Sequence, residues 1–135
     1  MSVALRGLIR RRAGDRCEYC GIPQEHVAYP FQIEHIVARQ HHGNDDPSNL
    51  ALACERCNAY KGPNLSAIDP ETGNIVTLFN PRQHRWHDHF VIQNAIVIGA
   101  TDMGRATVRL LNMNAPRRME LRAILGTVAL PPAKR

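Results

Sequence analysis

The sequence predicts an α+β fold in which two short strands and a helix close around a metal-holding cysteine cluster. Three observations predict it. Four cysteines occur as two Cys-x-x-Cys pairs, Cys17/Cys20 and Cys54/Cys57. Short apolar runs at residues 31–36 and 50–53 flank a polar loop. A helix-like segment, 56–61, follows the second pair and stops at Gly62-Pro63. In a reducing compartment such pairs favour Zn²⁺ over disulfides, and four thiolates make a closed, structural shell. Gly21 suits the tight turn of a zinc knuckle. A redox dithiol is the competing reading. A thioredoxin-type pair, however, opens a long helix after a buried strand, which Cys17-Glu18-Tyr19-Cys20-Gly21 does not resemble.

Bulk properties bound the rest. A chain of 135 residues makes one small domain. Residues 1–63 are read as an N-terminal helix and the metal-holding core, and 64–135 as a strand, hairpin and two-helix extension packed on the same domain. No apolar run reaches the ~18–20 residues of a membrane span, and the N-terminus lacks the apolar stretch of a signal peptide. A cytoplasmic protein is expected. The net charge of +5 and pI of about 9.4 suit a polyanionic partner.

Along the chain, residues 3–14 read as a helix capped by Gly14. Arg10, Arg11 and Arg12 spread around it, as a solvated face or as phosphate contacts. Residues 21–30 read as a loop punctuated by Pro23 and Pro30. In the first strand Ile33 is expected inward. Residues 64–73 read as a loop ending in the turn Asp69-Pro70-Glu71-Thr72-Gly73, and 74–79 as a strand. Residues 86–92 and 95–98 form a hairpin about Gln93 and Asn94. Thr101 or Asp102 caps a helix to about 112, which Gly104 weakens. Pro116 opens a last helix to about 125, with Gly126 as its stop and a frayed tail at 131–135.

The chemistry concentrates between residues 31 and 61. The first strand ends in Glu34 and His35; Asn49 precedes the second strand, and Asn58 and Lys61 lie just beyond the second cysteine pair. An imidazole of ordinary pKa near ~6.5 can take a proton from water at neutral pH. A divalent ion on oxygen ligands can polarise a phosphate and stabilise a leaving oxygen, and Mg²⁺ needs only one or two protein oxygens. Glu34 and the carboxamide of Asn58 would suffice. Adjacent strand residues face opposite ways, so Glu34 and His35 share a site only if the strand ends or twists there. Asn58 follows Cys57 directly, so zinc would fix its backbone.

Residues 17–62 resemble the HNH endonuclease family, whose fold is the ββα-metal finger. The residues that carry the resemblance are Cys17-Glu18-Tyr19-Cys20-Gly21, Ile33-Glu34-His35-Ile36, Gly43-Asn44-Asp45-Asp46, Ser48-Asn49-Leu50 and Cys54-Glu55-Arg56-Cys57-Asn58-Ala59-Tyr60-Lys61-Gly62. The resemblance implies a nucleic-acid partner, most simply DNA, cut to 5′-phosphate and 3′-hydroxyl ends. It implies His35 as general base, Glu34 and Asn58 as ligands of Mg²⁺ or Mn²⁺, Asn49 orienting His35, and Lys61 approaching a phosphate. Arg56, Arg10 and Arg12 are further candidates for DNA contact. Asn58 stands where many relatives carry His, which favours Mg²⁺ or Mn²⁺ over a His-bound transition metal. His41-His42-Gly43 departs from a more usual glycine pair and reads as solvated loop.

The second half resembles an extension found on many bacterial HNH proteins, with no specific chemistry implied. Trp86 reads as a packing anchor rather than a stacking platform. His84, His87 and His89 read as a junction rather than a metal cluster, while Arg82, Arg85 and Arg105 could extend a phosphate track. The alternative function is a catalytically silent zinc-ribbon module that binds nucleic acid without cutting it.

Overall fold

The computed structural model describes residues 1–126; the tail expected to fray at 131–135 lies outside the described residues. The fold is α+β. Helix α1 (Val3–Arg12) leads to the first cysteine pair, then to strands β1 (Gln32–His35) and β2 (Leu50–Ala53) and helix α2 (Glu55–Lys61). The extension comprises β3 (Ser66–Ile68), β4 (Ile75–Thr77), the short helix α3 (Trp86–His89), β5 (Phe90–Gln93), β6 (Ile96–Gly99), α4 (Asp102–Leu110) and α5 (Pro116–Leu125). The strands make three two-stranded antiparallel sheets, β1–β2, β3–β4 and β5–β6.

Strand β2 is the centre. All four of its residues, Leu50, Ala51, Leu52 and Ala53, are fully buried. Strand β1 covers one edge, with His35 opposite Leu50 and Glu34 opposite Ala51. Helix α1 presses Ile9 into the same core, and Gly14 takes the left-handed conformation just past its end. In β1 the inward residue is Glu34, at 5% exposure, not Ile33, which is half-buried. The acid can be inside because it meets partners there, described below.

The four cysteines sit in the core beside β2. Cys54 caps α2, its sulfur accepting from Cys57 N at 3.4 Å, and the first turn repeats the geometry with Cys20 N to Cys17 Sγ at 3.5 Å. The four sulfurs lie within 4.8 Å of one another, Cys20 and Cys54 at 3.8 Å. Zinc–sulfur bonds of ~2.3 Å in a tetrahedron set the sulfurs about 3.8 Å apart, so the cluster has the size and chemistry for Zn²⁺. Among the described residues it is the one group of three or more His, Cys, Asp or Glu placed to share a metal. Burial raises the Cys17 pKa, whereas hydrogen bonding from the other three cysteines drives Cys54 far down. A metal that takes four thiolates releases protons as it binds.

The extension is fastened to this core by side chains. Trp86 Nε1 donates to Tyr19 O at 2.8 Å, inside the first cysteine turn. Arg82 donates to Glu18 and, at 3.1 Å, to Leu50 O. Trp86 is therefore an anchor, and Arg82 is committed to packing rather than to a phosphate track. Residues 86–89 are helical rather than extended, because Arg85 O receives Asp88 N before β5 begins. The hairpin turns one residue later than expected, on Asn94 and Ala95, both with positive φ. Residues 66–68, read as loop, pair with β4 across the Asp69 turn; a three-residue strand is too short to show a period. Gly104 serves packing: a Cβ there would stand 2.1 Å from His89 O, so α4 lies directly on the start of the β5–β6 hairpin.

Buried Asp69 closes the β3–β4 turn. It accepts Arg105 Nε at 2.9 Å and a terminal guanidinium nitrogen at 2.8 Å, and binds Glu71 N and Thr72 Oγ1. Arg105 is thus also used internally. Its hydrogen bonds hold the Asp69 pKa well below the usual carboxylate range.

Two outcomes follow. A folded-state pKa below the unfolded value near ~3.9 gives stability that is full above that value and lost as pH falls through the folded one. Asp69→Asn should therefore melt below the wild type at pH 7, with the gap narrowing below about pH 4; thermal melts at pH 7 and 3 measure this. Cys57→Ser should lower the melting temperature by about 10 °C or more, since a structural zinc contributes folding free energy. His35→Ala should lower it by a few degrees at most, and equal melting temperatures would contradict the structural role of the cluster.

Candidate active site

His35 closes β1 where the chain enters the loop, and its ring looks away from the cysteine core. Its Nε2 lies 2.7 Å from Asp45 Oδ1. A carboxylate only accepts, so Nε2 carries the hydrogen, and in the neutral imidazole the lone pair is then on Nδ1. The same Asp45 oxygen accepts Arg39 at 3.0 Å. The hydrogen bond to His35, with Arg39 adding charge, lowers the Asp45 pKa. Asp45 was not singled out from the sequence. Its signal was present, a carboxylate in a loop that must return to the strand carrying the histidine, but a ten-residue separation hid the pairing.

The loop is held in shape by Asn49. Its Oδ1 accepts Val37 N at 2.9 Å, and its Nδ2 donates to Val37 O at 3.0 Å and Asn44 O at 2.9 Å. Asn49 thus fixes the backbone at Val37 and at Asn44, next to Asp45. The loop passes so close to Val37 that a Cβ on Gly43 would stand 1.6 Å from Val37 O, so only glycine fits. His41 and His42 are exposed on the outer side of this loop.

His35 opens on a cleft of about 490 Å³ between α1 and β1. Arg6, Arg10 and Arg39 line it with Gln32 and Phe31. Arg10 is fixed there by donating to Phe31 O at 2.8 Å. Arg12 turns the other way and donates to Pro47 O and Leu50 O at 3.0 and 2.6 Å, tying α1 to the end of the loop.

Glu34, Asn58 and Lys61 lie on the other side of β1, toward α2. Glu34 Oε1 accepts the buried Tyr19 hydroxyl at 2.6 Å, and Lys61 Nζ stands 2.6 Å from Oε2. The ammonium aims its hydrogen bond at Ile36 O, 2.9 Å away, and leaves Oε2 with charge but no directed donor. Burial raises the Glu34 pKa against the pull of Lys61 and Tyr19; burial and the neighbouring Glu34 charge raise that of Tyr19. Lys61 is 2% exposed, so it balances a buried acid instead of approaching a phosphate. Asn58 donates to Gln32. Each expected catalytic group therefore has its own partner: His35 has Asp45, Glu34 has Tyr19 and Lys61, and Asn58 has Gln32. A dication at Glu34 would have to displace the Lys61 ammonium, so the pair Glu34 and Asn58 does not fit a divalent ion in this conformation.

The remaining candidates lie elsewhere. Arg56 stands on the outer side of α2 with its guanidinium over the Tyr60 ring. His84 and His89 meet edge to face and both lie against Phe79, His84 Nδ1 accepting Asn80 N and His89 Nδ1 meeting Thr101 Oγ1. Burial, with His89 alongside, lowers the His84 pKa. His87 packs on the edge of Trp86. His84 and His89 are half-buried in the extension, and His87 is exposed. No described helix is long and apolar enough to cross a membrane.

The model of the HNH endonuclease family matches residues 17–64, about a third of the chain. No curated protein and no solved structure matches the chain significantly. The match begins at the first cysteine of the cluster and takes in β1, the Asn49-braced loop, β2 and α2, so the segment that holds both the cysteines and His35 is the part of the chain that is similar to HNH endonucleases.

Proposed function

We propose that the chain is an HNH nuclease that hydrolyses phosphodiester bonds in DNA, with His35 as general base. The observation that carries this is the His35–Asp45 pair opening on a cleft lined by three arginines. Asp45 holds the proton on Nε2, and Nδ1 is left to accept one from water. Arg6, Arg10 and Arg39 supply positive charge where a phosphate would lie against His35, and planar guanidinium groups suit phosphate oxygens. Zinc on Cys17, Cys20, Cys54 and Cys57 would hold β2 and α2 in place and take no part in the reaction. The family implies Mg²⁺ or Mn²⁺, and Glu34 with Asn58 are its expected ligands. Lys61 already occupies Glu34, so this pair does not take the ion in this conformation.

The same observation favours a second reading. A carboxylate neutralised by a buried lysine is what a nucleic-acid-binding module without cleavage would carry. Supercoiled plasmid with Mg²⁺ or Mn²⁺ separates the two: nicking by the wild type supports the nuclease, and binding without nicking supports the module.

If His35 is the base, His35→Ala should lower the nicking rate by about 10²–10⁴-fold and leave DNA binding within a few-fold. Equal nicking by both proteins would remove His35 from the mechanism. Asp45→Asn should lower kcat by about tenfold or more with KM little changed, because an amide can present its NH₂ to Nε2 and reverse the tautomer. An unchanged kcat would show that His35 does not depend on Asp45.

A further inference from the structure

A second groove, of about 590 Å³, lies between the segment ending at Tyr29, the outer side of α2 and helix α5. From the geometry we infer that it binds an unpaired stretch of nucleic acid that continues past the His35 cleft; the inference rests on the nucleic-acid reading given above. Three arginines line it, Arg56, Arg117 and Arg118, against one acid, Glu55. Its charge therefore suits a polyanion.

Two tyrosines distinguish it from an ordinary basic face. Tyr29 is 65% exposed and Tyr60 46% exposed, although both line the same groove. Arg56 and Tyr60 are one helical turn apart on α2, and the Arg56 guanidinium carbon sits 5.5 Å from the Tyr60 ring centroid. Arginine laid over an aromatic ring makes a flat platform at low conformational cost. Leu121 of α5 supplies an apolar wall. Bases stack on aromatic and guanidinium planes only when their faces are free, which a duplex does not allow away from its ends. Phosphates pair with arginine in either form. Exposed rings among arginines thus fit a single strand better than a duplex.

The position links groove to cleft. Tyr29 lines the groove, and Pro30, Phe31 and Gln32 line the cleft. Three residues of extended chain span roughly 10 Å, so a strand crossing the ridge at Pro30 would reach both. Helix α5 then has a task beyond packing. Arg122 anchors it by donating to Ala95 O at 2.7 Å and to Met113 O. Arg118 lines the groove from the first turn of α5. Arg117, one residue earlier, is exposed.

The test measures fluorescence anisotropy of a labelled single-stranded oligonucleotide and of its duplex, in EDTA so that nothing is cut. The proteins are wild type, His35→Ala, Tyr29→Ala/Tyr60→Ala and Arg117→Glu. Both tyrosines are exposed, so the double variant should melt like the wild type. It should weaken single-strand binding by about fivefold or more per ring and change duplex binding little. Arg117→Glu should weaken binding and flatten its salt dependence. Single-strand binding unchanged in both groove variants would overturn the inference, as would equal losses on single strand and duplex in the tyrosine variant. Groove-independent binding with His35-dependent nicking would overturn the groove and leave the nuclease standing. Groove-dependent binding with no nicking would do the reverse.

Discussion

Everything in this chain is positioned from the sulfur cluster at the end of β2. Cys54 closes that strand and caps α2, and Cys17 and Cys20 bring the end of the α1 segment against it. The strand buries four small or medium side chains, too little apolar surface to hold α1, β1 and α2 unaided. Cross-linking through a metal supplies what so thin a core cannot. The elements farther away take their places from the same turn, since Trp86 bonds to Tyr19 and Arg82 to Glu18, both inside the first cysteine pair.

From that arrangement β1 receives two different sides. One faces α2, where Glu34, Tyr19 and Lys61 form a buried charge-balanced group. The other faces α1 and the loop, where His35 meets Asp45 beside three arginines. Strand alternation alone separates two residues that sit side by side in sequence. The protein's positive charge is divided accordingly. Lys61, Arg12, Arg82, Arg105 and Arg122 hold the fold together from inside or from its seams, while Arg6, Arg10, Arg39, Arg56 and Arg117 border open grooves. The composition counts these groups alike.

Much of the fold was legible because its signals are local. Cysteine spacing, the apolar run at 50–53 and Gly62 place β2 and α2 within a residue, and Pro116 and Gly126 bound α5. The misread stretches are those whose structure comes from elsewhere in the chain. Residues 66–68 become a strand only by pairing with 75–77, and the 86–89 turn carries a Trp86 that bonds to Tyr19, sixty-seven positions away. Gly104 read as a helix weakness because the backbone of His89 beneath it is invisible in sequence. At the site, spacing was enough to group the four cysteines, whereas the pairing of His35 with Asp45 and the inward turn of Lys61 depend on contacts across ten and twenty-seven positions.

The brace made by Asn49 also divides the 38–49 loop into parts of unequal tolerance. Gly43 N returns to Ala38 O at 3.0 Å and Asn49 grips Val37 and Asn44, so the small turn at 39–42 leaves and rejoins the body at one point. A peptide spliced in beside His41 would hang from that neck and displace nothing beneath it. The same peptide between Asp45 and Asn49 would lengthen the span that the carboxamide holds taut. Natural length variation and engineered tags alike should therefore collect at the first position and be shunned at the second.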